Sequence, residues 1–274
     1  MGWSIGLMRR TMTTAAAIAA LLAGAPAWAG ACNVEGYIGK AIGIEEPWLE
    51  NAGYLFTRAT NNGTPQAVTL APEVEARFND RLGMELDLPA YTGQEPLARA
   101  PSAFGPLAAG LKGVVLHDCD AAERHAMLLT AEIEGQYRTA RRSSVLPDEG
   151  NSVSAQVMWA ALWNHWFEQG EAGYAQRIGS GITNGWFLNT SFGRPLSRHW
   201  TAQLELGIDN QLVLPARGQR GIEGSLMPQV SFRSSSGWLT ALGEQASLQQ
   251  GSSQTGWSTW LMLEHDFADS DDPD

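Results

Sequence analysis

Charged residues recur at every second position in several stretches of the sequence, with apolar residues at the positions between them. In the stretch 68–88, VTLAPEVEARFNDRLGMELDL, the acids and arginines occupy one set of alternate positions. This alternation is typical of a β-strand with one charged and one apolar face. A charged face that lines an enclosed space can select or orient a solute, or its charges can pair with one another and fill that space. Both interpretations remain open from the sequence. The candidate lining residues are Glu73, Glu75, Arg77, Arg81, Glu85, Asp87, Lys112, Glu132, Glu134, Glu205, Asp209, Arg233 and Glu264.

Neither a catalytic nor a metal-binding arrangement stands out beside these charges. The sequence contains five histidines, which are His117, His125, His165, His199 and His265. None is expected on a charged face beside a serine of the same face, and no G-x-S-x-G motif occurs. The close group at 117–120, which combines histidine, aspartate and cysteine, lies in a predicted turn, and we assign it no metal. We therefore predict a protein that is not an enzyme and needs no cofactor.

The stretch 68–88 also shows the size of the elements that carry the charges. Its two halves alternate on either side of Asn79 and Asp80, which predicts a two-stranded hairpin. Each strand has about 10 residues, the length that crosses a bilayer when the strand is tilted. In a soluble sandwich the apolar face of the same hairpin would form the core. The hairpin alone therefore does not decide between a membrane barrel and a sandwich.

The first thirty residues predict the compartment. Arg9 and Arg10 precede an Ala/Leu-rich run, and Ala-Trp-Ala at 27–29 forms a cleavage site, so we predict a signal peptide at 1–29. The mature protein is then periplasmic, secreted or an outer-membrane barrel. Removing Arg9 and Arg10 from the 18 basic residues leaves 16 against 29 acidic ones, which argues against a nucleic-acid partner.

The two cysteines of the sequence, Cys32 and Cys119, allow two interpretations. An oxidising compartment permits a disulfide between them. Alternatively, Cys32 could be the lipidated residue of a lipoprotein. The preceding residues, Ala-Gly-Ala at 29–31, lack the large aliphatic side chain usually found three positions before such a cysteine. This favours the disulfide.

The strand count and the lengths of the connections distinguish a barrel from a sandwich. Twelve alternating segments fall within 48–267, and an even number is typical of bacterial single-chain barrels. The connections after the second, sixth and tenth segments are very short, whereas those after the third, fifth and ninth are long. We therefore predict an all-β fold, an antiparallel transmembrane β-barrel of about 12 strands. A periplasmic segment at 30–47 precedes the barrel, and an acidic disordered tail at 268–274 follows it.

Aromatic residues near the predicted strand ends support this fold. They form the interfacial girdles of membrane barrels, although tryptophans could also pack a soluble core. The tryptophans concerned are Trp48, Trp186, Trp200, Trp238 and Trp257. Phe267 ends the last alternating strand and resembles the terminal aromatic signal that the barrel-assembly machinery recognises. We predict that machinery and outer-membrane lipid as partners.

Four segments resemble the outer-membrane proteins named for the "meta-pathway of phenol degradation". They are EPWLENAGYLFTR from Glu46 to Arg58, EVEARFNDRLGMELDLPAY in the hairpin, FGPLAAGLKGVVL from Phe104 and LSRHWTAQLELGID from Leu196. The resemblance extends over most of the mature chain as a pattern of strands and turns and includes no catalytic motif. It implies a Gram-negative outer-membrane barrel and, by association, the uptake of aromatic or other hydrophobic compounds.

These observations lead to two hypotheses about function. The first is a porin-like channel or transporter in the cell outer membrane for passive uptake of small molecules, aromatic or hydrophobic ones among them. The second is a structural or adhesive barrel with a closed lumen that binds a partner through its long loops. The loops concerned are those predicted at 90–104 and 210–223.

Overall fold

A computed structural model describes residues 38–60, 67–94, 102–120, 125–139, 151–178, 184–214, 219–250 and 255–267. Every regular element in these ranges is a strand. None of the described residues belongs to a helix long and apolar enough to cross a membrane. The strands are β1 (Ala52–Thr60), β2 (Ala67–Asn79), β3 (Leu82–Asp87), β4 (Tyr91–Gln94), β5 (Ser102–Phe104), β6 (Leu107–Asp120), β7 (His125–Tyr137), β8 (Asn151–Trp163), β9 (Trp166–Ile178), β10 (Gly185–Pro195), β11 (Trp200–Leu214), β12 (Gln219–Arg233), β13 (Trp238–Gln249) and β14 (Thr255–Asp266).

The strands form one antiparallel sheet that closes on itself. Closure follows because β1 pairs with β14 on one side and with β2 on the other. The short strand β4 continues β3 along the wall, and β5 leads into β6, since β4 pairs with β5 just as β3 pairs with β6. Counted in this way, the wall has twelve strands. The predicted antiparallel barrel is confirmed.

Side-chain alternation divides the wall into an inner and an outer face. Along β7, the alternate residues Leu128, Thr130 and Glu132 are buried. Met127, which has the opposite parity, is 42% exposed. Apolar side chains are exposed at the same parity on most other strands, for example Leu70 on β2. A closed barrel with an apolar outer face is suited to hydrocarbon on its outside, and water or protein fills its polar interior.

The connections differ between the two ends of the barrel. At one end, which we call the turn end, they comprise residues 80–81, 121–124, 164–165, 196–199 and 234–237. At the opposite end, the loop end, they comprise residues 61–66, 95–101, 138–150, 179–184, 215–218 and 250–254. Most loop-end connections are longer, as the sequence predicted. The predicted acidic tail at 268–274 lies outside the described residues.

Two predicted loops are partly strands. The loop predicted at 90–104 contains β4 and β5, and residues 95–101 between them lie outside the described ranges. The loop predicted at 210–223 is shorter, because β11 extends to Leu214 and β12 begins at Gln219. Proline and glycine residues in both segments interrupt the alternation, although the backbone continues to pair with its neighbours.

A register shift explains a third difference. We predicted that residues 117–120 lie in a turn, but β6 continues to Asp120. The pairing of β6 with β7 shifts between Val114 and Leu116, and an extra residue of this kind reverses the alternation beyond it. Leu116 is therefore exposed on the outer face. The part of β6 beyond the shift does not continue the period-two alternation of the part before it, so the sequence pattern did not predict it as strand.

Four of the five tryptophans predicted for the girdle have the exposed position near a strand end that the prediction requires. Trp186, Trp200, Trp238 and Trp257 are 38% to 50% exposed and lie at or near strand ends. Trp48 is only 4% exposed, because it precedes β1 and packs inside the barrel. The strands, predicted within 48–267, therefore begin only at Ala52, and the assignment of Trp48 to the girdle was wrong.

The turn between β8 and β9 offers a test of the backbone. Asn164 has a φ of 60°, a left-handed conformation that asparagine and glycine adopt more readily than β-branched residues. We expect Asn164→Val to lower the free energy of unfolding by about 1 kcal/mol, and Asn164→Gly to be neutral. The midpoint of urea unfolding, followed by the heat-modifiable gel band, measures the difference. Equal midpoints for both variants would contradict the expectation.

Candidate functional site

A segment that precedes β1 lies inside the barrel. We call residues 38–51 the inner segment. At the turn end, its Ile38 and Trp48 pack with Leu128, Leu162 and Phe167 of the inner wall. The sequence predicted a periplasmic segment at 30–47. Residues 30–37 lie outside the described ranges, and from residue 38 onward the chain is enclosed by the wall.

Lys40 connects the inner segment to β1 and β14. Its Nζ lies 2.8 Å from Glu264 Oε1 and 2.7 Å from the Tyr54 hydroxyl, and it contacts the Glu50 carboxylate. Glu46 lies 3.6 Å away. Burial alone would lower the pKa of Lys40, but the carboxylates of Glu46, Glu50 and Glu264 outweigh it and hold that pKa well above its usual value. The lysine is therefore a buried cation surrounded by acids.

The tip of the inner segment is held by wall carboxylates that accept backbone hydrogen bonds. The amides of Ile42 and Gly43 donate to Glu205 at 2.6 and 3.1 Å. The amide of Glu45 donates to Glu171 at 3.0 Å. The segment forms no strand or helix, so its buried amides need acceptors from elsewhere. Acids of the inner face supply these acceptors.

A second lysine holds the other side of the tip. Lys112 on β6 lies 2.5 Å from Glu75 and 3.0 Å from Glu85, and it contacts Glu45 of the inner segment. Burial would raise the pKa of Glu45, but the Lys112 ammonium outweighs it and lowers that pKa below the usual value. The segment is thus tied to the wall through opposite charges on both sides.

Together these contacts fill the turn-end half of the lumen. The segment runs inward from Ile38, reaches Glu205 and Glu171 near the middle of their strands, and returns to the rim, where Phe267 donates its amide to the Asn51 carbonyl. Removing one partner of such a buried ion pair leaves an uncompensated charge, which is strongly destabilising. The tip at Gly43 is exposed toward the loop end.

A cavity of about 350 Å³ lies in the wall, on the loop-end side of the Lys112 cluster. It is formed by neighbouring strands on both sides of the β3–β6 pairing. The lining residues are Phe56, Ala71, Pro72, Glu73, Asp87, Leu88, Ala90, Pro106, Ala108, Glu134 and Gln136. Most of these belong to the inner face. Pro72 and Leu88 have the parity of the exposed outer-face residues.

Regular strand pairing is interrupted beside the cavity, where single backbone hydrogen bonds join the Gly105 amide to the Ala90 carbonyl at 2.7 Å and the Leu88 amide to the Pro72 carbonyl at 3.0 Å. The ladder between β3 and β6 ends at Asp87 and Ala108, and the ladder between β4 and β5 begins only at Tyr91 and Phe104. Proline lacks the amide hydrogen that a ladder requires, and prolines stand at 72 on β2, at 89 between β3 and β4, and at 106 between β5 and β6. The prolines therefore account for the break.

The predicted lining residues fall into three groups. The first is buried inside the barrel and consists of Glu75, Glu85, Lys112, Glu132, Glu205 and Glu264. The second is half-buried and lines the cavity, and it consists of Glu73, Asp87 and Glu134. The third lies toward the ends of the barrel and consists of Arg77, Arg81, Asp209 and Arg233. The first two groups surround the inner segment and the cavity. Two members of the third group reach the edge of the segment, where the Arg77 amide donates to Asn51 Oδ1 at 2.9 Å and Arg233 lies 3.8 Å from Glu264.

The members of the third group have local partners. Arg77 is exposed and pairs with Asp80 at 2.5 Å, and Arg81 lies in the turn at 80–81 rather than on β3. Arg233 pairs with Asp266 at 2.7 Å near the turn end. Asp209 stands where the pairing of β11 with β12 shifts, close to the loop end.

Cys119, close to the turn end of β6, is disulfide-bonded. Its predicted partner, Cys32, lies outside the described residues. The pairing of Cys32 with Cys119 stays a prediction.

Several residues of the site were not predicted from the sequence. They are Lys40, Glu45, Glu46, Glu50, Glu171 and Gln203. Lys40 stands within Ile-Gly-Lys-Ala-Ile, an unusually apolar surrounding for a lysine in an exposed segment. Glu171 alternates with Gln169 on β9, a strand with several glycines and a less regular pattern. The apolar surroundings of Lys40 and the alternation of Glu171 with Gln169 could have identified these two residues from the sequence.

Known proteins resemble this chain in fold but not in sequence. No protein-family description matches the sequence, and no curated protein matches it. Among solved structures, the COG4313 outer membrane channel from Pseudomonas putida F1 is similar over 84% of this chain and 100% of its own, with 13% identity and a TM-score of 0.60. The NanC porin is similar over 78% of this chain and 100% of its own, with 7% identity and a TM-score of 0.52. The chain therefore has the fold of outer-membrane channels.

We predict that Lys40→Met weakens the attachment of the inner segment, because it leaves Glu50 buried without its cation and Glu264 with only Arg233 at 3.8 Å. The loss amounts to roughly 3 to 5 kcal/mol. Detachment of the inner segment should expose Lys112, which then reacts with an amine-directed ester. Peptide mass spectrometry measures the labelling of Lys112. Arg58→Met is the control, since Arg58 stacks on Trp260 away from the segment. Equal Lys112 labelling in both variants would refute the prediction.

Proposed function

We propose that this protein is an outer-membrane channel that admits small molecules passively, aromatic or hydrophobic ones among them. The observation that carries the proposal is the wall cavity, which has lining residues from both faces of the barrel. The inner segment fills the turn-end half of the lumen, so a straight path along the barrel axis is obstructed. A path from the outer face through the wall avoids part of that obstruction.

The lining of the cavity supports access from the membrane. Pro72 and Leu88 share the outer parity of Leu70 and Val74, which are exposed where hydrocarbon would cover the barrel. On the inner side the cavity reaches Ala71 and Ala108, whose small side chains leave space toward the lumen. A molecule dissolved in the hydrocarbon can therefore approach the cavity without first crossing the loop end.

The solved structures with this fold support a channel by analogy. The Pseudomonas putida protein is described as an outer membrane channel and NanC as a porin. In this proposal the signal peptide at 1–29 is cleaved, the assembly machinery inserts the barrel, and the turn end faces the periplasm, as in other bacterial barrels. Aromatic and hydrophobic solutes follow from the apolar part of the cavity and the family resemblance.

The inner segment favours a second candidate, a structural barrel with a closed lumen. Its ion pairs through Lys40 and Lys112 fill the turn-end half with protein. Single-channel recording in planar bilayers separates the candidates for ions and polar solutes, because a closed barrel stays silent. Uptake of an apolar probe tests the wall path, which ionic current does not report.

We predict that Ala108→Phe reduces uptake of the neutral fluorescent probe N-phenyl-1-naphthylamine by cells that express the protein. Ala108 is buried and lines the cavity, so a phenyl ring there occupies space that a solute needs. Probe fluorescence in intact cells, compared with cells that lack the protein, measures the uptake.

Ala109→Phe is the matched control. Ala109 is the next residue on β6 and is exposed on the outer face, so the added ring projects into lipid. Both variants must show the heat-modifiable band of a folded barrel. If wild-type protein adds no uptake, or if both variants behave like wild type, the proposed route is wrong.

A further inference from the structure

The wall cavity combines an acidic side with an apolar side. Its acidic side is formed by Glu73, Asp87 and Glu134, which belong to the inner face. Its apolar side includes Phe56 and Leu88 together with two prolines. A solute that is entirely apolar would meet carboxylates on one side, and burying them against hydrocarbon is costly. The cavity therefore suits a molecule with two different parts.

The carboxylates converge on one place. Oxygens of Glu85, Asp87 and Glu134 lie within 4.8 Å of one another. Glu132 adds a fourth acid, because its carboxylate lies over Gly110, the residue that pairs with Glu85 on one side and Glu134 on the other. Glu132 is only 1% exposed, and its Oε1 has no hydrogen-bond partner. Glu132 Oε1, a buried acceptor without a donor, thus lies next to the converging acids, whereas Glu132 Oε2 accepts a hydrogen bond from Gln156 at 2.7 Å.

Lysine and arginine balance only part of the charge of these acids within the described ranges. Lys112 already contacts Glu45, Glu75 and Glu85. Within the described ranges, no lysine or arginine lies within 4.0 Å of a carboxylate oxygen of Glu73, Asp87 or Glu134. Carboxylates this close repel one another when ionised, and a cation placed among them removes the repulsion.

We infer, on the basis of the function proposed above, that the cavity binds organic cations, specifically primary amines carried on an aromatic or aliphatic body. An ammonium group has three N–H donors for the converging oxygens, and its apolar body covers Phe56 and Leu88. The volume of about 350 Å³ is within the range of small-molecule sites. A bare metal ion would use the acids and leave the apolar side unfilled, and an anion would be repelled.

Equilibrium dialysis of the full-length protein in lipid nanodiscs tests this inference with two probes of one shape. 2-Phenylethylamine carries the ammonium group, and 2-phenylethanol has the same ring and chain without charge. We expect the amine to bind wild-type protein about tenfold more tightly than the alcohol, the factor of one charge-assisted contact. Nanodiscs without protein correct for partition into lipid.

Variants locate the binding site. Glu134→Gln removes one charge and should weaken amine binding about fivefold to tenfold while leaving alcohol binding unchanged. Asp87→Asn provides an independent substitution if the first variant does not fold. Glu223→Gln is the control, because Glu223 lies on β12 across the barrel and accepts a hydrogen bond from Gln249 there. It should bind the amine as wild type does.

Three outcomes would overturn the inference. They are equal binding of amine and alcohol, equal effects of Glu134→Gln and Glu223→Gln, and calcium binding that Glu134→Gln removes while amine binding persists. None of these affects the proposed channel if Ala108→Phe still lowers uptake of the neutral probe. Conversely, amine binding in nanodiscs without any difference in cellular uptake would support the site and refute the channel.

Discussion

Two buried ion-pair clusters hold the interior of this barrel together. Each is centred on one lysine, and Lys40 and Lys112 are the only lysines in the sequence. Lys40 brings a positive charge from the inner segment to acids of β1 and β14, whereas Lys112 on the wall receives Glu45 from the segment. The attachment is therefore reciprocal. Either contact alone would leave buried carboxylates uncompensated on the other side of the lumen.

This constraint divides the lumen into two different halves. Near the turn end, inward-facing acids are matched by lysines and by amides of the inner segment. Toward the loop end, Glu73, Asp87 and Glu134 have no such partner among the described residues, and there the prolines interrupt the wall. In the proposed outer-membrane location, lipid would cover the outer face, and the apolar outer residues would need no second protein layer. The cavity thus lies where an acidic interior comes close to the apolar outer face.

Local patterns predicted the wall well and its contents poorly. The hairpin of β2 and β3, the inner and outer faces and the twelve strands follow from alternation, which each strand shows by itself. The inner segment forms neither strand nor helix, and its contacts join residues far apart in sequence, as between Ile42 and Glu205. Trp48 illustrates the limit. A tryptophan near a strand end belongs equally well to a girdle or to an interior cluster, and only the path of the chain distinguishes them.

The path of the inner segment has a consequence for how it could move. It starts beside Ile38 at the turn end, bends at its tip near Gly43, and comes back to Asn51 at the same rim. Ile38 and Asn51, the two ends of the inner segment, thus lie at the same end of the barrel. Such a loop can slide out and return without any chain terminus passing through the barrel. Its removal is opposed by the ion pairs, by the backbone hydrogen bonds to Glu205 and Glu171 and by the packing of Ile38 and Trp48 against the inner wall, and it involves no unthreading of the segment.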